Sequence, residues 1–193
     1  MREFYLEESV LIQNEKKAKT QYYIFFVVAF VAFFAGIFWF YSIFTISRDS
    51  YGLGTWLVLL LLPTLTFFSI AIFSYFIKNR FYTEYDYSIL TGAIRFSKVI
   101  NRAKRKQIVS ISTDNIEKIG KFQSSTYIKY SKMKEISKKV LSPNSMAAEG
   151  KEFFYIVANE KGEKLLFVLE CSKDFIKSLM IYCKRHVLED DFK

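Results

Sequence analysis

The sequence predicts a membrane α-helical hairpin followed by a soluble β-rich barrel or sandwich that ends in an amphipathic helix. Three observations predict it. Residues 20–47 and 50–77 are two successive stretches of 28 residues without a formal charge, and about 20 apolar residues suffice to cross a hydrocarbon core of roughly 30 Å. From residue 81 onward, apolar and polar side chains alternate in short runs separated by turn residues, which is the pattern of half-buried strands. The final segment instead repeats its apolar residues at helical spacing.

Residues 1–20 place Phe4-Tyr5-Leu6 and Val10-Leu11-Ile12 ahead of the basic Lys16, Lys17 and Lys19. That spacing predicts a cytoplasmic amphipathic leader lying near the membrane surface, with a disordered leader as the alternative.

The hairpin is expected over 21–77, with spans at 22–46 and 55–77. Span one is longer than the apolar region of a signal peptide and is followed by a second span, so cleavage is not expected. Tyr22 and Tyr23 stand at one end and Trp39 and Tyr41 towards the other, as interfacial aromatics do. Ala29, Ala32, Ala35 and Gly36 form a small-residue stripe among bulky Phe and Val. Such a stripe lets helices approach closely, either within the pair or in a homo-oligomer. Gly52 and Gly54 suit a tight reversal, and Pro63 is expected to kink span two, with Thr64 and Thr66 absorbing freed backbone groups. No ionisable residue falls within either span, which argues against a pump or transporter acting alone. Lys16, Lys17, Lys19, Lys78 and Arg80 flank one side, against Arg48 and Asp49 on the other. By the positive-inside rule this predicts a multi-pass protein of the cell membrane with both termini cytoplasmic.

The soluble unit is expected over 78–193. Strands are predicted at 81–89, 93–100, 107–112, 121–130, 152–158 and 164–169, with hairpin turns at Thr91-Gly92 and Asn159–Gly162. Residues 131–150 read as a polar loop containing a helical turn. Ser172 is a good N-cap, and Phe175, Ile176, Leu179, Met180, Cys183 and Val187 define an amphipathic helix of about 15 residues.

The net charge of +9 is confined to this half, because residues 78–193 hold 23 basic and 14 acidic side chains and residues 1–77 hold five of each. A basic segment beside a bilayer suggests attraction to anionic headgroups, and a solvated lysine-rich surface is the plain alternative. One basic group is Lys98, Arg102, Lys104, Arg105 and Lys106, expected in a strand-to-strand loop as the anionic-lipid contact. A second is Lys129, Lys132, Lys134, Lys138 and Lys139. Nucleic acid is the less favoured partner, because Lys outnumbers Arg and 101–106 contains no aromatic residue.

Catalytic, cofactor and metal sites are not expected. No phosphate-cradling glycine motif or nucleophile-elbow motif occurs, and His186 is the one histidine. Cys171, Cys183 and His186 fall short of a four-ligand zinc set and suit reduced packing thiols. Glu84 and Asp86 share one face of a strand and are expected to pair with neighbouring Lys and Arg.

Short antiparallel strands closed by one C-terminal amphipathic helix resemble a pleckstrin-homology-like (PH-like) domain, and the whole chain resembles small bacterial membrane proteins in which two spans precede such a domain. The resemblance covers 22–193 and implies a sandwich or barrel corked by 172–188. Lipid-binding members of the family hold phosphoinositides with basic residues flanking a long loop between their first two strands. The turn matched to that loop here is Thr91-Gly92, followed by Arg95 and Lys98, so the resemblance does not extend to specific phosphoinositide recognition. The function expected is non-enzymatic display of a basic domain at the membrane, with membrane lipids and a protein as partners. An accessory subunit joined to a larger complex through its spans is the alternative.

Overall fold

The computed structural model describes residues 5–45, 52–90, 92–160, 162–184 and 186–189. The chain forms two compact units, one of residues 14–82 and the other of residues 1–13 together with 83–193. The second unit is thus interrupted in sequence by the first.

The interrupting unit is a pair of packed helices, α1 (Glu15–Thr45) and α2 (Leu53–Phe81). Both are long and apolar enough to cross a membrane, with mean hydropathy 2.4 and 2.3. Most of their large side chains, such as Phe30, Phe38, Phe44, Phe73 and Phe76, face outward. Such a surface is stable in lipid and costly in water. Pro63 lies inside α2, and the Thr64 and Thr66 hydroxyls donate to the carbonyls of Leu60 and Leu62, both at 2.8 Å. The reversal expected around 47–51 lies outside the described residues.

The other unit is a β-sandwich. Its first sheet has the order β1 (Tyr5–Val10), β2 (Thr83–Leu90), β3 (Ala93–Ile100), β4 (Lys104–Ser112), all antiparallel. The second has the order β5 (Ile116–Lys121), β7 (Glu152–Glu160), β8 (Glu163–Cys171), β6 (Ser137–Val140). The inner faces meet in one core, where Phe96 stacks on Phe167 at 5.3 Å between ring centroids and Tyr87 meets Phe96 edge-on. Helix α4 (Lys173–Met180) closes the core with Phe175, Ile176 and Leu179. Its N-cap is Ser172, whose hydroxyl accepts from the Phe175 N–H at 3.1 Å.

Four sequence expectations change. The leader is a strand rather than an amphipathic helix: Tyr5–Val10 pairs with β2 from Tyr5↔Leu90 to Val10↔Tyr85, and residues 1–13 belong to the sandwich. Leu6 and Val10 face the core at period two, and Glu8 between them interrupts the apolar alternation. The strand expected at 121–130 is not formed: β5 ends at Lys121 and helix α3 (Ser125–Ser131) follows, because Ser124 caps a turn whose Tyr127 and Tyr130 share one face. The expected loop at 131–150 contains β6, which runs parallel to β8. The C-terminal helix is eight residues rather than about 15. Its apolar face is complete after two turns, Ile181 is exposed, and Val187–Glu189 instead runs beside β5, with the Ile119 N–H donating to the Val187 carbonyl at 2.8 Å.

Glycine is required at one point of that contact. A Cβ on Gly120 would lie 2.1 Å from Glu189 Oε2 and 2.7 Å from Tyr155 Cε1.

Candidate functional site

The strand registers place the chain's exits. Val10 pairs with Tyr85 and Thr83 with Ile100, so the end of β1, the start of β2 and the turn after β3 share one end of the first sheet. Residues Gln13 and Thr83, where the chain leaves for the helices and returns, therefore lie at that end.

The same end is fastened from the second sheet. Lys151 Nζ donates to the Ser9 carbonyl at 2.7 Å and pairs with Glu8 at 3.1 Å. Glu8 in turn accepts from the N–H and the hydroxyl of Ser172, both at 2.9 Å. Glu170 is fully buried and accepts from the Ser142 hydroxyl, from Asn144 Nδ2 at 2.9 Å and from the Ala148 N–H at 2.9 Å. Three donors converging on one buried carboxylate offset its desolvation and fix the 142–148 loop. That loop holds the exit strand through Asn144 Nδ2 to the Leu11 carbonyl (2.9 Å) and Gln13 Nε2 to the Met146 carbonyl (2.9 Å).

The first basic group surrounds the turn between β3 and β4. Only residues 101–103 form the turn, and Lys104, Arg105 and Lys106 belong to β4, as Lys98 belongs to β3. Asn101 and Arg102 both take φ of 52°, a left-handed turn that two non-glycine residues rarely adopt. Arg102 Nε donates to Glu84 at 3.1 Å. Arg105 Nε donates to Asp86 Oδ2 at 3.0 Å, and its Nη2 reaches both Asp86 and Glu7. Asp86 and then Glu7 hold the Arg105 guanidinium above its ordinary pKa. Both arginines are thus bound to carboxylates of neighbouring strands, as expected for Glu84 and Asp86. Lys98 lies directly opposite Lys106 across the β3–β4 ladder, and Lys104 and Lys106 are exposed. Like charges facing each other across a ladder are unfavourable.

Lys129, Lys132, Lys134 and Lys138 of the second basic group lie on the outer face of the second sheet, whereas Lys139 pairs with Phe167 of the core and falls on the other side of β6. Tyr127 of α3 packs on Tyr155, Val157, Leu166 and Val168, which turns Ile128, Lys129, Lys132, Met133 and Lys134 to the exterior. Among the described residues, Lys129, Lys132, Lys134 and Lys139 form no ion pair. Lys138 sits over the Tyr127 ring at 5.2 Å.

Within the helical unit, Ala29, Ala32 and Gly36 are buried and Ala35 is half-buried. A Cβ on Gly36 would lie 3.3 Å from the Phe68 ring, so at this position the missing side chain leaves room for Phe68 of α2. An apolar surface groove of about 330 Å³ lies between the helices, lined by residues that include Phe26, Phe30, Ile72 and Phe76. Lys78 is buried near the end of α2, its ammonium 4.2 Å from the Tyr75 ring centroid and 5.0 Å from those of Tyr22 and Phe26, with the Tyr22 hydroxyl at 3.3 Å. An aromatic cage of this kind compensates a desolvated cation.

The thiols are free: burial raises Cys171 well above its ordinary pKa and pushes Cys183 up to about 11. Among the described residues no group of three or more His, Cys, Asp and Glu could hold a metal ion.

Two faced sheets, a closing C-terminal helix and a helical pair interrupting the first sheet define a PH-like sandwich carrying two long apolar helices. The chain belongs to the family described as Bacterial PH-like domain (DUF6106), whose pattern it matches over residues 2–189. No curated protein and no solved structure matches the chain. The loop assignment made from the resemblance changes as well. Among the described residues the first strand is β1, so the connection between the first two strands is residues 11–82, which contains the whole helical pair, and Gly92 belongs to the next hairpin, Thr91 lying outside the described residues.

Proposed function

We propose that this is a two-span integral membrane protein that displays its PH-like unit on the cytoplasmic face, docks it on anionic headgroups and scaffolds a protein partner there, with no chemistry of its own. The observation that carries this reading is the insertion of α1 and α2 between β1 and β2. A unit tied to two spans by Gln13-Asn14 and by Tyr82-Thr83 is held at the bilayer at both ends of the interruption. Cleavage of α1 as a signal would also remove β1, an edge of the first sheet. Lys16, Lys17, Lys19, Lys78 and Arg80 put that side of the hairpin in the cytoplasm by the positive-inside rule.

The first basic corner stands at the end of the sheet where the chain exits, so Lys98, Lys104 and Lys106 face the headgroups in this reading. Each basic residue near an anionic surface contributes about 1 kcal/mol, falling off within a Debye length. Arg102 and Arg105, bound to Glu84, Asp86 and Glu7, serve chiefly to shape the corner. The apolar groove between α1 and α2 favours a second reading, an accessory subunit seated against another membrane helix.

Two readouts on the full chain test the proposal. Alkaline carbonate should leave the protein in the membrane, and trypsin should cut within residues 78–193 in inside-out vesicles but not in intact spheroplasts. In nanodiscs, tryptic cleavage at Lys104–Lys106 should be slower with phosphatidylglycerol present than with phosphatidylcholine alone, a difference that high salt removes. Release by carbonate, or cleavage within residues 78–193 from the outside, would overturn the anchoring. Equal cleavage in both lipids would overturn the docking.

A further inference from the structure

We infer that the outer face formed by α3 and β6 is a second contact for an anionic bilayer surface, with Lys129, Lys132, Lys134 and Lys138 meeting headgroups and Ile128 and Met133 entering the interface; it rests on the reading that α1 and α2 span the membrane.

Charge comes first. Residues 121–140 hold six lysines and one acidic residue, Glu135. None of the four lysines on this face forms an ion pair among the described residues, in contrast to the arginines of the β3–β4 corner. Ile128 is 44% and Met133 40% exposed, both among the lysines. Apolar side chains within a lysine-rich helical turn are the composition of an interfacial binder. A protein partner is less well matched, because protein interfaces are depleted in Lys and enriched in Arg and large aromatics. Nucleic acid is less well matched too, because 121–140 contains no Arg.

Position comes second. β5 ends at Lys121, paired with Phe154 near the start of β7, and Lys151 just before β7 bonds Ser9 of β1. α3 therefore starts from the end of the sandwich where the chain exits. β6 runs parallel to β8 towards Val140, and Leu141 leads into the loop that holds Leu11 and Gln13. The excursion goes out and returns to that end. Seven helical residues advance roughly 10 Å and four strand residues roughly 13 Å. The lysines are thus spaced from the exit by little more than the Debye length of about 8 Å at physiological salt.

The test places an environment-sensitive fluorophore at M133C in the full chain, with Cys183→Ser removing the one partly accessible thiol. A blue shift is expected in nanodiscs containing phosphatidylglycerol and not in phosphatidylcholine alone. It should be lost at high salt and in a Lys129→Ser, Lys132→Ser, Lys134→Ser variant. The variant Lys98→Ser, Lys104→Ser, Lys106→Ser should retain it. The same emission in both lipids would overturn the inference, as would a shift indifferent to the α3 lysines. A shift that appears only with added polyglutamate would overturn it in favour of an acidic protein. Carbonate extraction of the labelled chain keeps the two failures apart: a retained protein without the shift sinks only this face, and a released protein sinks the anchoring.

Discussion

The two basic stretches look alike in sequence and differ in the folded protein. Around the β3–β4 turn, Glu84, Asp86 and Glu7 bind Arg102 and Arg105, so much of the positive charge is answered by the strands beside it. On α3 and β6, four lysines stand without an ion pair among the described residues. A run of like charges in one segment therefore does not give the charge that a face presents. That depends on the acids that the fold brings alongside, and Glu7 is 98 positions from Arg105.

The largest effect that would sharpen this contrast comes from β1. Residues 83–193 alone lack the strand that carries Glu7, Leu6 and Val10, and should show no cooperative thermal unfolding. The same segment joined to residues 1–13 by a flexible linker should unfold cooperatively. Equal melting of the two would show that β1 is dispensable and that the first corner keeps its shape without Glu7.

Next in size is Glu170→Ala, which strands three donors at a fully buried site. It should cost about 2–3 kcal/mol in chemical denaturation and expose the 142–148 loop to protease. Gly120→Ala, which drives a methyl into Tyr155 and Glu189, should cost about 1–3 kcal/mol by the same measurement.

A smaller effect separates the arginines from the lysines of the first corner. Arg105→Lys loses the fork to Asp86 and Glu7, and should lower stability by about 0.5–1 kcal/mol, screened because the arginine is half exposed. Lys104→Ser with Lys106→Ser should stay within about 0.5 kcal/mol of the parent. A lysine pair that cost more than Arg105→Lys would reverse the assignment of roles.

The smallest is chemical. Cys183, with its thiol pushed up to about 11 by burial and then by Asp114, is almost wholly protonated at pH 8, because the thiolate forms only as pH approaches the raised value. Its alkylation should be slower at pH 8 than that of a free thiol and should accelerate as pH rises towards 11. A rate equal to that of a free thiol at pH 8 would contradict the burial.

Much of this fold is legible in the sequence, for identifiable reasons. The helical pair declares itself through two uncharged stretches, and the β2–β3 and β7–β8 hairpins through local alternation around glycine turns. β3 falls at 93–100 as its alternation predicts. What is hidden is non-local. β1 pairs with a strand about 80 residues away, and its Glu8 turns inward to cap Ser172, so its pattern reads as an amphipathic leader. β6 has four residues and takes its register from β8. In the candidate sites, the lysines and arginines are visible as residue types, and the pairing of Glu84 and Asp86 follows from their shared face. Glu7 and Glu170 carry no local signal, because their partners come from distant segments.

Hydrogen exchange of the full chain in nanodiscs, with and without phosphatidylglycerol, tests the central claim most directly, because it reads 98–106 and 125–140 in one sample. Slower exchange of both stretches in the anionic lipid, larger for 125–140 and abolished by high salt, is the expected result. Exchange that does not change with lipid charge in either stretch would contradict bilayer docking and leave both lysine groups as solvated surface.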